Sequence, residues 1–339
     1  MALSKAASGF KNLVYMSMSN CIPLPVLNIN GRSFKILKLL GEGGFSVVYL
    51  VKDSATGRQF ALKKIHCPLG TDSFKDAMRE AELYKLFSHP NIIRVMDNCV
   101  FQEKNGDKTV YIFLPYYKNG TLQDIISANV MNHLQLPEKK ILKMFHGVCL
   151  AVRELHTFEL PNIPVVAENP ADFAGLDAGG NRVPYAHRDI KPSNVILGDD
   201  ATPILMDFGS VVRAKIVIKT RQQALLEQDR AAEFSTMAYR APELFDVKTG
   251  SVLNEKVDIW SLGCLLYAIA YGQSPFEANQ NEQGGNIALA VQNCKFNFPS
   301  DDLYSEHFRE LIRYMLVLDV KQRPDIHQVI SRLDEMLFN

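Results

Sequence analysis

Short apolar runs alternate with glycine-containing turns from residue 34 onward. Phe34-Lys-Ile-Leu-Lys-Leu-Leu40 reads as a strand, Gly41-Glu-Gly-Gly44 as a turn and Phe45-Ser-Val-Val-Tyr-Leu-Val51 as a second strand. The turn Ser54-Ala-Thr-Gly57 leads into a third strand, Gln59 to Ile65. That spacing predicts an antiparallel meander. Asp72 to Phe87 instead places apolar residues at helical intervals, and His89-Pro90 ends that helix. Two more strand-like runs follow, Ile92 to Asn98 and Thr109 to Leu114.

Beyond Gly120 the pattern turns helical. Glu138 to His156 carries Ile141, Leu142, Phe145, Val148, Cys149, Val152 and Leu155 on one face. Lys256 to Tyr271 is apolar nearly all round, as in a helix packed on every side. His307 to Leu318 and Ile326 to Phe338 close the chain. A small sheet-rich lobe (34–114), a connection (115–120) and a larger, mainly helical lobe (121–339) make an α+β architecture. Residues 1–33 read as a tail of small and polar residues. Thr157 to Pro184, with four prolines, three glycines and no apolar period, reads as a long surface loop. Arg221 to Glu233 holds helix formers without Gly or Pro, and predicts a short helix.

Composition narrows the function classes. With 47% apolar and 22% charged residues among 339, the chain is neither disordered nor fibrous. Thirty-seven Lys plus Arg balance thirty-seven Asp plus Glu, so no global basic field holds nucleic acid. The six cysteines form no C-x-x-C pair, which argues against a structural zinc site or a disulfide framework and for a reducing compartment. Met1 to Phe10 lacks the apolar core of a secretory signal. The longest apolar stretch, Leu262 to Tyr271, is too short for the ~20 residues of a membrane helix.

The candidate chemistry begins at the glycine turn. Gly41-x-Gly43 would let backbone amides approach phosphate oxygens, although a strand–Gly–strand turn is also an ordinary hairpin. Ala61-Leu-Lys63 then places an ammonium in the third strand, where Glu80 of the next helix can pair with it. The string His187-Arg-Asp-Ile-Lys-Pro-Ser-Asn194, followed by Asp207-Phe-Gly209, is far more specific. Phosphoryl transfer needs a carboxylate near the attacking hydroxyl, a cation on the moving phosphate and oxygen ligands for magnesium. Asp189, Lys191, Asn194 and Asp207 are of those types. With Ala241-Pro-Glu243, Asp258-Ile-Trp-Ser-Leu-Gly263 and Gln322-Arg-Pro324 in order, the sequence resembles the eukaryotic protein kinase family from about Phe34 to Leu333.

The resemblance implies a bilobal kinase fold: a small antiparallel-sheet lobe with one main helix, and a larger helical lobe. It implies ATP as cofactor with magnesium, or manganese in its place. Leu40, Gly41, Glu42, Gly43, Gly44, Phe45 and Ser46 would form the phosphate-covering loop. Val48 and Ala61 would roof the adenine and Ile196 would be its floor. Lys63 would hold the α and β phosphates, oriented by Glu80. Leu114 matches the position controlling the back pocket, with Pro115 to Tyr117 as hinge. Asp189 would accept or orient the substrate proton, Lys191 would steady the γ-phosphate, and Asn194 and Asp207 would bind metal. Glu243 and Arg323 resemble a structural ion pair, and Asp258 a brace for the catalytic loop. Residues 207–243 correspond to the activation segment.

Lys191, two residues after Asp189, and Thr236, three before Tyr239, match the serine/threonine pattern, so the expected partners are protein serine or threonine hydroxyls. Arg188 resembles the arginine of kinases whose activation segment is ordered by a phosphate, with Thr220 and Ser235 as candidate phosphosites or ordinary polar loop residues. Gly41-Glu-Gly-Gly-Phe-Ser46, Leu114-Pro-Tyr-Tyr-Lys-Asn-Gly-Thr-Leu122 and Arg221-Gln-Gln-Ala-Leu225 are similar to the Numb-associated kinase group. Its relevant branch implies autophosphorylating enzymes held at endomembranes by acylation. Ala2 stands where myristoylation needs glycine, but Cys21 falls where that branch carries an acylated cysteine. The expected location is therefore cytoplasmic, peripheral on the cytosolic face of vacuole or Golgi membranes. A catalytically weak scaffold is the alternative, but it usually lacks the lysine or an aspartate that this sequence retains.

Overall fold

The computed structural model describes residues 25–43, 46–159, 182–278 and 286–338. Cys21 and the rest of the chain through residue 24, Gly44 and Phe45, and residues 160–181 of the expected loop lie outside the described residues. The chain divides into two compact units. The first runs through Ser88 and includes Ile93–Tyr116; the second holds His89–Ile92 and everything from Tyr117.

Among the described residues, the first unit is a six-stranded antiparallel sheet in the order β1-β2-β3-β4-β6-β5 with one helix. Its strands are β1 (Val26–Ile29), β2 (Arg32–Glu42), β3 (Ser46–Asp53), β4 (Gln59–Cys67), β5 (Asp97–Gln102) and β6 (Lys108–Pro115). Strand periodicity of two sends Phe34, Ile36, Val51, Phe60, Leu62, Tyr111 and Phe113 to one buried face. There Phe113 packs 5.0 Å from Phe34 and 6.0 Å from Phe60 between ring centroids. The opposite face carries Ala61, Lys63 and Ile65, and packs in part against α1 (Ser73–Leu86). Two register shifts in β2, between Ile36 and Lys38 and between Leu39 and Gly41, bend it beside the glycine turn.

Two expectations need correction. Residues 26–29, read as tail, form β1 and pair with Arg32–Lys35; a strand this short has no periodicity to betray it. The run Ile92 to Asn98 is not one strand. Ile92 makes only a single parallel bridge to Leu205, and β5 starts at Asp97.

In the second unit the helices are α2 (Leu122–Met131), α3 (Glu138–His156), α4 (Arg221–Phe234), α5 (Lys256–Tyr271), α6 (Ile287–Gln292), α7 (Glu306–Met315) and α8 (Ile326–Phe338). Helix α5 is buried from Val257 to Ile269 and packs on α3 and α7. A Cβ on Gly263 would lie 2.8 Å from Leu316, so glycine lets α5 approach the end of α7. Helix α7 answers with Phe308, Leu311, Ile312 and Met315 on one stripe. The loop expected from Thr157 leaves and returns at one place, where the Val183 amide donates to the Phe158 carbonyl (2.8 Å) and Glu159 bridges Arg182.

Arg323 is 1% exposed and fully engaged. It donates to both carboxylate oxygens of Glu243 (2.7 and 3.0 Å) and to the carbonyls of Val317 and Lys256, and lies 5.3 Å over the Trp260 ring. Removing one partner of a buried pair costs about 3–5 kcal/mol, because the other is left uncompensated. Arg323→Met should therefore lower unfolding stability in urea by about that amount. A loss within the ±0.5 kcal/mol scatter of ordinary surface substitutions would contradict it.

Candidate functional site

In the first unit the glycine turn is closed by the Gly43 amide donating to the Ser46 carbonyl (2.8 Å). A Cβ on Gly43 would sit 3.3 Å from Ser46 Oγ, whereas one on Gly41 would meet no atom within 4 Å. Protein packing therefore does not require glycine at 41. Register places Val48 opposite Lys63, and Ala61 between Leu50 and Leu114. Lys63 Nζ donates to Glu80 Oε1 at 2.7 Å, with the side chains only 11% and 5% exposed. Helix α1 can bring Glu80 this close because its neighbours on the sheet side, Ala77 and Ala81, are small and buried. The Tyr84 hydroxyl donates to the same oxygen (3.2 Å). Pro115 ends β6 opposite Phe60, and Leu40 is 38% exposed on β2.

The second unit assembles its polar cluster around Asp258 at the start of α5. This fully buried carboxylate accepts from His156 Nε2 (3.0 Å) and from the backbone amides of His187 (2.7 Å) and Arg188 (2.8 Å). Burial pushes the Asp258 carboxyl up, but the hydrogen bond and charge of His156, with His187 and the Arg188 amide, outweigh it and hold the group below its ordinary value. Arg188 sits at φ +67°, a left-handed conformation costing about 1–2 kcal/mol in a non-glycine residue. Two amides gathered by one carboxylate offset that strain.

Asp189 follows directly. Its Oδ1 accepts the Thr236 amide (2.8 Å), while Oδ2 takes Lys191 Nζ (2.8 Å) and Asn194 Nδ2 (3.0 Å). Lys191 also donates to Thr236 Oγ1 (2.7 Å). Asn194 Nδ2 reaches the Asp189 carbonyl too (2.8 Å), so its amide nitrogen is committed and its oxygen is the atom available to a cation. The Asn194 carbonyl accepts from Met206 (2.9 Å), bringing Asp207, at φ +65°, alongside. His187 supports this turn through Met206 O (3.1 Å) and an edge-on contact with the buried Phe208. Ile196 lies in the two-stranded ladder Val195–Leu197/Pro203–Leu205 and bridges Thr121. Tyr117 opens this unit, its phenol pushed up by burial and by Asp199 and Asp200. The oxygen donors of Asn194 and Asp207 suit magnesium, which is content with one or two protein ligands when phosphates complete its shell.

Helix α4 supplies what sequence reading missed. Arg188 Nη1 donates to Glu227 Oε2 at 2.7 Å, with side-chain exposures of 4% and 15%. Thirty-nine residues separate the pair, so no local pattern announces it. Thr220 caps α4, accepting the Gln223 amide (3.2 Å), and Ser235 Oγ donates to Ala231 O while accepting from Arg240.

Among known proteins, the protein kinase domain model matches residues 34–161 and 182–333. Serine/threonine-protein kinase ppk13 of Schizosaccharomyces pombe is 36% identical, over 94% of this chain and 94% of its own. Serine/threonine-protein kinase ENV7 of Saccharomyces cerevisiae is 34% identical, over 91% and 93%. Serine/threonine-protein kinase 16 of Homo sapiens is 37% identical, over 91% and 92%. The fold, the loop built on Asp258 and these matches agree, and the chain belongs to the protein kinase domain family.

Proposed function

We propose that this kinase is an active enzyme transferring the γ-phosphate of ATP to serine and threonine hydroxyls of proteins, itself among them. The observation that carries the reading is the occupancy of Asp189. A carboxylate offers about four lone-pair sites. Thr236, Lys191 and Asn194 use three, leaving one on Oδ1 for a substrate hydroxyl. Asp189 would orient that hydroxyl and take its proton as the oxygen–phosphorus bond forms. The hydrogen bond from Lys191 to Thr236 holds that residue close to Asp189, where a substrate platform would suit the short serine and threonine side chains.

ATP and magnesium are the general requirement of the family. Bound magnesium would neutralise the phosphates, held by Asn194 Oδ1 and Asp207. Lys63, fixed by Glu80, would grip the α and β phosphates, and the open side of Gly41 leaves room for phosphate oxygens over the turn of Gly41–Ser46. By the family resemblance, adenine contacts fall to Leu40, Val48, Ala61 and Leu114 in the first unit and to Ile196 in the second, with the backbone of Pro115 to Tyr117 as hydrogen-bonding edge. Lys191 would move onto the γ-phosphate.

Glu227 stands where an activation-segment phosphate would otherwise meet Arg188, so the active arrangement needs no phosphorylation for its assembly. Within the family we place the chain in the Numb-associated group and at cytosolic faces of vacuole or Golgi membranes, through acylation of Cys21. No helix among the described residues is long and apolar enough to cross a membrane.

With radiolabelled ATP, magnesium and a generic basic acceptor, label should appear on serine or threonine. Asp189→Asn should lose about 10²–10⁴ in turnover with the KM for ATP near wild type. Equal loss of nucleotide affinity would place Asp189 elsewhere. Phosphatase-treated wild type should remain active, whereas Glu227→Ala should lose at least about tenfold in kcat, since Arg188 directly precedes Asp189 and a misplacement of about 1 Å can cost about 10²-fold. An inactive dephosphorylated enzyme, or an unaffected Glu227→Ala variant, would overturn the role given to that carboxylate.

A further inference from the structure

Next to Asp189 a cavity of about 490 Å³ opens between the start of α2, the loop that carries Lys191 and the last turn of α5. Its wall includes Lys191 and Thr236, which bond to Asp189 and to each other. An extended chain rises about 3.3 Å per residue. A substrate whose hydroxyl reaches Asp189 therefore places a neighbouring side chain in this cavity. Among the described residues of the wall there is one cation and one carboxylate. The cation, Lys191, is met by Asp189 Oδ2 at 2.8 Å. The carboxylate, Glu277, pairs with no cation among the described residues.

Glu277 has a structural task that uses only one of its oxygens. The Ser274 amide donates to Glu277 Oε2 (3.0 Å), and the Glu277 amide donates to Ser274 Oγ (3.1 Å). Glutamine closes such a reciprocal cap as well as glutamate does, so the cap does not account for a negative charge here. That charge is felt at the cavity wall. Burial pushes the Tyr239 phenol well above its ordinary value, and Glu277 adds to the rise. Neutral acceptors stand beside it. Gln123 commits its nitrogen to Ser127 Oγ (3.4 Å), which leaves its carbonyl oxygen, and Ser193 adds a hydroxyl.

We infer that Glu277 selects substrates carrying an arginine close to the phosphorylated serine or threonine. A guanidinium presents five donors in a rigid fork. Glu277 Oε1 would take the charge, and the oxygens of Gln123 and Ser193 would take the remaining donors. An acidic side chain would meet the carboxylate and be repelled. The selectivity rests on the phosphoryl-transfer reading of Asp189 and goes beyond it by naming the sequence around the acceptor.

The test uses the full chain and soluble peptides with one serine and otherwise neutral residues. A single arginine is moved through the three positions on either side, with norleucine in its place as reference. At one position arginine should raise kcat/KM about tenfold over norleucine, the scale of one charge-assisted hydrogen bond, and glutamate should fall below norleucine. Glu277→Gln retains the cap, so it should unfold at the wild-type temperature while losing the arginine preference. Glu277→Lys should prefer glutamate at the same position. Glu335→Gln, which removes an exposed carboxylate of α8, should keep the arginine preference. The same peptides with alanine for serine, followed by fluorescence anisotropy, report selectivity without turnover. Arginine-selective binding that depends on Glu277 in a protein without turnover would sink the proposed activity and uphold the selectivity. No preferred position, a preference retained in Glu277→Gln, or an equal loss in Glu335→Gln would overturn the inference.

Discussion

A single buried carboxylate, Asp258, organises the chemistry of the second unit. An isolated charge in a protein interior is costly unless its oxygens are filled. Here His156 and the amides of His187 and Arg188 fill them. In return Asp258 joins the end of α3 to the start of α5 and holds Arg188 in its left-handed conformation. From that fixed turn the chain projects Arg188 toward Glu227 and Asp189 toward Thr236, Lys191 and Asn194. Each later contact needs the backbone geometry set by this carboxylate.

The buried ion pairs of this protein do different work. Arg323 and Glu243 are saturated by mutual and backbone hydrogen bonds, which makes them support. Lys63 and Glu80 hold an ammonium in place on the sheet face that carries Val48 and Ala61, which suits ligand binding. Arg188 and Glu227 tie the loop before Asp189 to α4, which Gln228 also joins to the Val247 amide. Only Ala224 and Ala231 of α4 are buried, so its docking rests more on charge than on apolar area.

What was legible in the sequence follows the same physics. Long amphipathic or wholly apolar helices such as α3 and α5 repeat one period many times, and their bounds were readable to the residue. Motif spacing singled out Asp189, Lys191, Asn194 and Asp207 because phosphoryl transfer demands those groups, and the structure brings Asp189, Lys191, Asn194 and Thr236 together. Strand β1 escaped notice because four residues pair through backbone groups that any side chains allow. Ile92 and Ile93 mimicked a strand because both are buried apolar residues. Glu227 was hidden because a carboxylate on a polar helix looks solvated until the fold brings an arginine to it.

The most direct measurement of the central claim is steady-state turnover and thermal unfolding of Asp258→Asn. This change keeps the shape of the side chain but replaces one accepting oxygen with a donor facing His156 or the loop amides. A folded protein that has lost turnover by about a hundredfold or more, the range of a displaced catalytic base, is the expected result. Wild-type turnover in a folded Asp258→Asn protein would contradict the account, because the loop would then hold its geometry without the carboxylate.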